Sequence, residues 1–474
     1  MKNSYLKIIA VLIVALGLGS TNLKAQNERS LFYMRQIPQA SYANPAFMPE
    51  FKFYLGIPGA SSIYAAYNNN GFKYNDIITR RADDSLVLDQ HKLLNSLGTN
   101  NDLGIRINEE IFALGFKAGK SYISLSLNTK ANFNFHYTKD FMSLLINGNA
   151  QFLGKSVDLS ETTANGIAYG EVALGFAHQI DSKLSIGARL KYLYGIAALE
   201  TQNSKLKFTS DQKTFALTAV SDIQVNMAQP TNDKNKVDMN TMFSNPGMAF
   251  DLGFSYALTD QFSINASILD IGSITWEKEA TNYISKKPNS SFTFNGLVLN
   301  DLINKKQTSD STFNHLLDTI NNMLSIKENH QSFKTRLAQK FIVGASYKID
   351  TNTLVGLVFR NEYFAGNYNP SLTVSLNHEF GRIFSAMISY SYIDRNAFNI
   401  GTGFALNLGP LQLYGVVDNA IAAMQITKSQ TVNAQVGLNF VLGYTRKKKG
   451  FKEPYIPRIP PSALEDDLKP ALTP

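Results

Sequence analysis

Between Ile123 and Tyr137 the chain alternates with a period of two. Ile123, Leu125, Leu127, Thr129, Ala131, Phe133, Phe135 and Tyr137 fall on one set of positions, and Ser124, Ser126, Asn128, Lys130, Asn132, Asn134 and His136 on the other. Such alternation describes a strand with one apolar and one wet face. At roughly 3.3 Å per residue, residues 121–137 span more than about 50 Å, whereas strands of soluble sheets usually run about five or six residues. The pattern recurs in "IAYGEVALGFAH", "LSIGARLKYLY", "MAFDLGFSYAL" and "FSINASI", and more densely in "FIVGASY", "TLVGLVFRNEY", "SLTVSLNHEF", "FSAMISYSY", "FNIGTGFALNL", "LQLYGVV" and "VNAQVGLNFVLGY". The faces opposite the apolar ones carry Ser, Asn, Gly, Arg, Lys and Glu. Repeated segments of about ten residues, apolar outward and polar or small inward, are the signature of a transmembrane β-barrel.

Connection lengths supply the strand count. Short links stand at "KAGKS" (117–121), "QIDSK" (179–183), "LTDQF" (258–262), "KIDTN" (348–352), "FGRI" (380–383) and "NLGPL" (407–411). Read as periplasmic hairpins, they pair twelve strands. A first strand near 51–66 and a last near 429–444 complete an antiparallel barrel of 14 strands, all-β, with 16 as the alternative. The segment "TFALTAVSDIQVNM" (214–227) alternates but would break the parity of the turns. With "SKLKFTS" (204–210) it is assigned to an external hairpin. Long loops then fall near 67–102, 138–163, 200–246 and 280–332, and "GNYN" and "DRNA" are tight. Helical stripes within these loops, Leu93, Leu94 and Leu97, then Phe141, Leu144 and Leu145, then Phe313, Leu316, Leu317, Ile320 and Leu324, predict short amphipathic helices over the barrel mouth.

Composition narrows the chemistry. There is no cysteine, so disulfides, thiolate metal sites and cysteine nucleophiles are excluded. Charged residues are 17%, and 31 Phe and 22 Tyr stand against one Trp. After residue 25 no apolar run reaches the roughly 20 residues of a membrane-spanning helix. Residues 1–25 read as a secretory signal peptide: Lys2 and Lys7 precede "IIAVLIVALGLG", and Ala25 offers the small residue for cleavage before Gln26. Removing Lys2, Lys7 and Lys24 lowers the formal charge from +8 to +5, and most of the remainder sits in the tail from Arg446. No basic stripe with interleaved aromatics points to nucleic acid. The six histidines (His91, His136, His178, His315, His330, His378) form no metalloprotease motif, and hydrolase, P-loop and dinucleotide fingerprints are absent. The reading is a non-enzyme with no cofactor and no metal. His136 shares a face with Asn132 and Asn134, and His378 with Val374 and Leu376 near a strand end.

Residues 26–50 resemble neither strand nor signal, with Pro38, Pro45 and Pro49 interrupting any ladder. Here Asn44, Pro45 and Ala46, just before the first strand, resemble the N-terminal motif of the outer-membrane long-chain fatty-acid transporter family and of the barrel that shuttles substrates in type IX secretion. "PQASYANPAF", "LGIPG", "GNAQFLGKSVDLS" and "YGEVALGFAHQI" more closely resemble an uncharacterised outer-membrane family of the Bacteroidota, known as a domain of unknown function. The resemblance implies that residues 26–50 form a plug in the lumen, with Asn44, Pro45 and Ala46 as its motif. A 14-stranded cylinder is too wide for its wall side chains alone to fill. The expected organisation is signal peptide 1–25, plug 26–50, barrel 51–445 and a proline-rich tail 446–474. The tail is expected to be extended and periplasmic, able to dock a periplasmic protein. Both termini are expected to be periplasmic, and the wall faces outer-membrane lipid.

Two functions are compatible with these residues: passive transport of small hydrophobic molecules through a plugged lumen, or a scaffold in a type IX secretion, gliding or surface-assembly complex. A dry apolar pocket beside the Asn44 segment favours the first. A lumen filled by ionic side chains favours the second.

Overall fold

A computed structural model describes residues 31–148, 150–214, 217–229, 243–285, 290–294, 326–393 and 396–444. The wall is a closed antiparallel barrel of 14 strands. In chain order these are β1, in two arms Phe51–Gly56 and Ser62–Asn69, β2 Asn100–Ala118, β3 Ser121–Thr138, β4 Thr163–Gln179, β5 Leu184–Ser210, β6 Asn245–Ala257 and β7 Phe262–Trp276. They continue as β8 Gln339–Lys348, extended by Phe333–Arg336, β9 Thr353–Phe364, β10 Asn367–Phe380, β11 Phe384–Ile393, β12 Asn396–Leu408, β13 Leu411–Val417 and β14 Thr431–Tyr444. Each strand pairs with the next, and β14 closes onto both arms of β1 through Phe51↔Tyr444 and Ile63↔Val436. Closure leaves the wall without an edge.

The six short links of the sequence are the turns of one rim, at residues 119–120, 180–183, 258–261, 349–352, 381–383 and 409–410. Their chemistry is local. Asp181 accepts the N–H groups of Lys183 and Leu184, and Asp350 those of Asn352 and Thr353. Side-chain acceptors of this kind bend the chain where a backbone partner is missing. Phe51 and Tyr444 lie at the same rim, so both ends of the wall leave the barrel there.

At the opposite rim β5 overshoots. From Ala198 to Ser210 it pairs with Leu217–Ala228, leaving the cylinder beyond Glu200, and Leu217–Ala228 in turn pairs with Ala280–Ser285 and Ser290–Phe294. The hairpin expected around 204–227 is thus external and the wall count stays at 14, although its first strand is a continuation of the wall rather than a separate piece. Val157, Leu159, Phe208 and Ala219 form its small core. Helix α1, Gln90–Ser96, is capped by Asp89 and buries Leu93 and Leu94, with Leu97 beside them, against Ile77 and Tyr137. Helix α2, Lys139–Asn147, turns Phe141 and Leu144 inward, but Leu145 is 61% exposed and does not belong to the stripe. The stripe at 313–324, the signal peptide with its Ala25–Gln26 cut, residues 26–30 and the tail lie outside the described residues.

The first strand departs from the continuous element expected at 51–66. Pro58 has no N–H to give, and the chain leaves the ladder between Gly56 and Ser62 with Gly59 at φ +71°. The gap is bridged by Leu438 N–H to the Ala60 carbonyl and Gly59 N–H to the Ile111 carbonyl. Beside it β2 carries a bulge between Glu110 and Phe112. Further bulges fall between Ala168 and Tyr169, Phe250 and Leu252, and Ser391 and Ile393, and between them the alternation holds. Leu125, Leu174, Leu190 and Val374 are exposed on the outside, and Asn128, Asn134 and Glu171 are buried within. A closed cylinder with an apolar outer belt is built for hydrocarbon.

Candidate functional site

The lumen is filled in three layers. Nearest the short turns lies the chain preceding β1, with single 3-10 turns at Leu31–Tyr33 and Pro38–Tyr42. Pro38 suits the start of the second turn because its missing donor would have no partner there. Leu31, Phe32, Tyr33, Met34, Ile37, Ala40 and Ala43 are all buried. Phe32 packs edge-on against both Tyr33 and Phe47, with ring centroids 5.0 Å apart in each pair. The apolar residues of this segment therefore share a core with inward residues of the wall, Leu269, Ile342 and Val358 on one side and Met387, Ala405 and Tyr414 on the other.

Two polar side chains key the segment to the wall backbone. The Asn44 amide donates to the carbonyls of Phe254 (3.0 Å) and Ala266 (3.2 Å), which face one another on β6 and β7. Its Oδ1 accepts the Ala46 N–H at 2.9 Å, so both amide hydrogens and the oxygen are used. The Tyr33 hydroxyl lies 2.6 Å from the Ala345 carbonyl and 2.9 Å from that of Leu357, again opposite residues on adjacent strands, β8 and β9. Both insertions need bare backbone. A Cβ on Gly253 would stand 2.2 Å from Asn44 Oδ1, one on Gly187 2.2 Å from the Pro45 carbonyl oxygen, and one on Gly356 2.2 Å from the Tyr33 ring. These glycines serve close approach, since none carries a positive φ. Further up, Gln39 reaches Tyr54, Glu110 and Asn439, and Tyr42 donates to Glu110.

The middle layer is ionic. Lys130 Nζ meets Glu171 at 2.7 Å, and Lys191 Nζ meets Asp251 at 2.7 Å and Asp270 at 2.5 Å. Lys340 holds the other Asp270 oxygen at 2.8 Å, and Arg189 lies 4.4 Å over the Tyr42 ring, joining the ions to the segment below. On β5 the consecutive inward positions Gly187, Arg189 and Lys191 thus contact Pro45, Tyr42 and the acids in turn. Arg106 crosses the barrel to Glu362, which also takes Arg360 at 2.7 Å. Buried charges survive only when paired in this way. Nearest the long loops, Trp276 fills the third layer with Ile167, Tyr169, Leu193 and Phe364, its indole N–H on Thr335 Oγ1 at 3.1 Å.

Two cavities open at the short-turn mouth. A cavity of about 470 Å³ is floored by Tyr33, Arg35 and Gln36 and rimmed by Asp260, Lys348, Asp350 and Glu379. A neighbouring one of about 210 Å³ reaches Tyr444. Within the lumen, the space between segment and ions is about 40 Å³ and polar-lined.

Of the sequence candidates, Asn44, Pro45 and Ala46 come together against Gly187 and Gly253. His136 and His378 do not meet. His136 bonds Asp102 beside the long loops at 2.9 Å, and His378 bonds Thr353 next to a short turn at 2.9 Å. Among the described residues no three His, Cys, Asp or Glu side chains gather into a metal-binding group. The sequence reading missed Tyr33, the glycine notches and the pairing of the charges. The one available signal was the charge on inward positions such as Lys130, Glu171, Arg189 and Lys191.

Residues 45–418 match the family of unknown function DUF5723, and the chain belongs to that family. No curated protein matches. Among solved structures, the chain is similar to the Ralstonia pickettii toluene transporter TbuX at 11% identity and a TM-score of 0.43, covering 85% of this chain and 94% of that one. It is similar to the Pseudomonas putida toluene transporter TodX at 8% identity and 0.43, covering 89% and 98%. To a Pseudomonas aeruginosa FadL homologue it is similar at 10% identity and 0.41, covering 90% and 99%.

Proposed function

We propose that this is an outer-membrane barrel that is closed at rest and works as an anchored scaffold, with its short-turn rim and both ends of its wall in the periplasm. The observation that carries this reading is the filled lumen. A segment of the chain is keyed to the wall by Asn44 and Tyr33, paired charges lie above it, and an aromatic core lies above those. Passage would require the segment and the ion pair that crosses the lumen to yield, whereas a platform needs a lumen that does not. The surfaces offered to partners are then the external sheet carried by β5 and the short-turn mouth beside Tyr444. Reconstitution tests this. The intact protein should give no steps in planar bilayers and no accelerated entry of a small hydrophobic dye into vesicles. Steady porin-like conductance would overturn it.

Passive transport of small hydrophobic molecules is the second reading. One observation favours it: the lumen is closed by a separate segment held through side chains, Tyr33, Gln39 and Asn44, rather than by a strand of the wall ladder. Under that reading residues 26–50 are a displaceable plug with Asn44, Pro45 and Ala46 as its motif. Dye uptake that depends on Asn44 would support it.

A further inference from the structure

On β2 the outward positions before the bulge are Ile105, Ile107 and Glu109, and those after it are Phe112, Leu114 and Phe116. The register turns the Glu109 side chain outward, while the residue also borders the small polar cavity inside the lumen. It stands opposite Ile63 of β1, which is 42% exposed on the outside, and opposite Thr129 of β3, in the row of Leu125 and Leu127. Its neighbour Glu110 points the other way and is spoken for by Tyr54 and Ser61 at 2.6 Å each. Glu109 has no such partner: among the described residues no hydrogen bond or ion pair reaches its carboxylate. Among the described wall residues, Arg106, Lys130, Glu171, Arg189, Lys191, Asp251, Asp270, Lys340, Arg360 and Glu362 face inward, while Lys334 and Arg336 are exposed at the long-loop end of β8. A single carboxylate is therefore set in the middle of an apolar belt.

Ionisable groups facing hydrocarbon are costly and are kept where something meets them. Lipid amines do not reach this one. Ile105 and Ile107 lie above it and Phe112, Leu114 and Phe116 below, so Glu109 is separated from either rim by apolar positions along its own strand. The exposed cations of a second copy, Lys334 and Arg336, stand at the long-loop end of β8, beyond the paired stretch Gln339–Lys348. Small side chains surround the site: Ala65, Thr129 and Ala131 lie on the adjacent outward positions of β1 and β3, where another backbone can come close.

We propose that the outer face of β1 to β3 around Glu109 is an intramembrane contact surface for a second integral membrane protein, one that presents a lysine or arginine at this depth. The proposal rests on the scaffold reading and gives that scaffold a partner of stated chemistry. The complementary cation would do for Glu109 what Arg106 does for Glu362, in a setting where a carboxylate alone gains nothing.

The test uses the full chain expressed in its native outer membrane with a photo-reactive phenylalanine at Ala65, next to Glu109, or at Val374 on β10 as the remote control. Irradiation should give one protein adduct from position 65 and none from 374. The peptide captured should map to a membrane-spanning segment carrying Lys or Arg. Glu109→Leu should assemble at least as well as the parent, because leucine is at home in the belt, yet lower the adduct yield about tenfold, and Glu109→Gln should lower it less. Replacing the captured cation should lower the yield equally. Lipid adducts alone at both positions, an adduct of the chain with itself, or a yield indifferent to Glu109→Leu would overturn the proposal. A barrel that conducts but still gives the Glu109-dependent adduct would refute the closed scaffold and leave this surface standing.

Discussion

Arg106 and Glu362, 256 residues apart in the chain, join across the lumen in a two-pronged ion pair of 2.6 and 3.1 Å. Their strands, β2 and β9, are seven places apart in a ring of fourteen, so they stand on opposite walls. The pair is a crossbar between the halves of the cylinder, and bidentate geometry makes it strong and directional. Glu362 is fully buried and holds Arg360 as well, so removing the carboxylate takes an acceptor from two guanidinium groups at once. Glu362→Gln should therefore destabilise the barrel by roughly 3–5 kcal/mol, the cost of breaking a buried pair on one side. A fall in the urea midpoint of vesicle-reconstituted protein checks this.

The glycine notches predict a contrast among small substitutions. At Gly187 an added methyl meets backbone, the Pro45 carbonyl oxygen at 2.2 Å, and neither strand nor proline can give way. At Gly403 it meets only the tips of two methionines, Met34 Sδ at 2.7 Å and Met387 Cε at 2.9 Å, which can swing aside. Gly187→Ala should expel the segment and expose residues 31–49 to protease in a folded barrel, whereas Gly403→Ala should leave them protected. Mass spectrometry of limited digests separates the two.

The assignment of faces predicts a second contrast. Leu127 points outward and Asn128 inward, where its amide reaches Glu171 at 3.3 Å. Arginine on the lipid side should cost about 2–4 kcal/mol at mid-depth and less towards the rims. Leu127→Arg should then reduce the yield of heat-modifiable barrel well below that of Asn128→Arg. Equal yields would put the strand the other way round.

At the short-turn rim Asp350 is exposed, and hydrogen bonds from the Asn352 N–H and then the Thr353 hydroxyl and N–H hold its carboxyl below the usual aspartate value. A lowered value in the folded state means that the stabilisation is present above the unfolded aspartate value, near pH 4, and is lost as pH falls through the lower one. Exchange of the Asn352 and Thr353 amides should accelerate relative to their intrinsic rates across that acid window. In Asp350→Ala it should be fast at neutral pH as well.

How far this was readable from the chain depends on the range of each interaction. Turns such as "QIDSK" and "KIDTN" are made by an aspartate two or three residues from the N–H groups it accepts, so their positions, and through their parity the strand count, were legible. The faces of β3 were legible because alternation is local. The break in β1 was not read from the sequence although Pro58 lies within it, and its repair draws on Leu438, at the far end of the chain, and on Ile111. Arg106 and Glu362 could each be seen to point inward, yet nothing in one sequence tells an inward arginine which of the inward acids it will meet. The same holds for Tyr33, whose slot is made by Gly344 and Gly356 of strands more than 300 residues on.

Closure of the lumen is tested most directly by single-channel recording of the intact protein beside a variant lacking residues 31–48 and carrying Arg106→Met, in planar bilayers at neutral pH. The segment and the crossbar should together account for the seal. The intact barrel is expected to be electrically silent, and the double variant, once shown to be folded by its heat-modifiable mobility, to give discrete conducting steps. Open steps from the intact protein, or silence from the folded double variant, would contradict it.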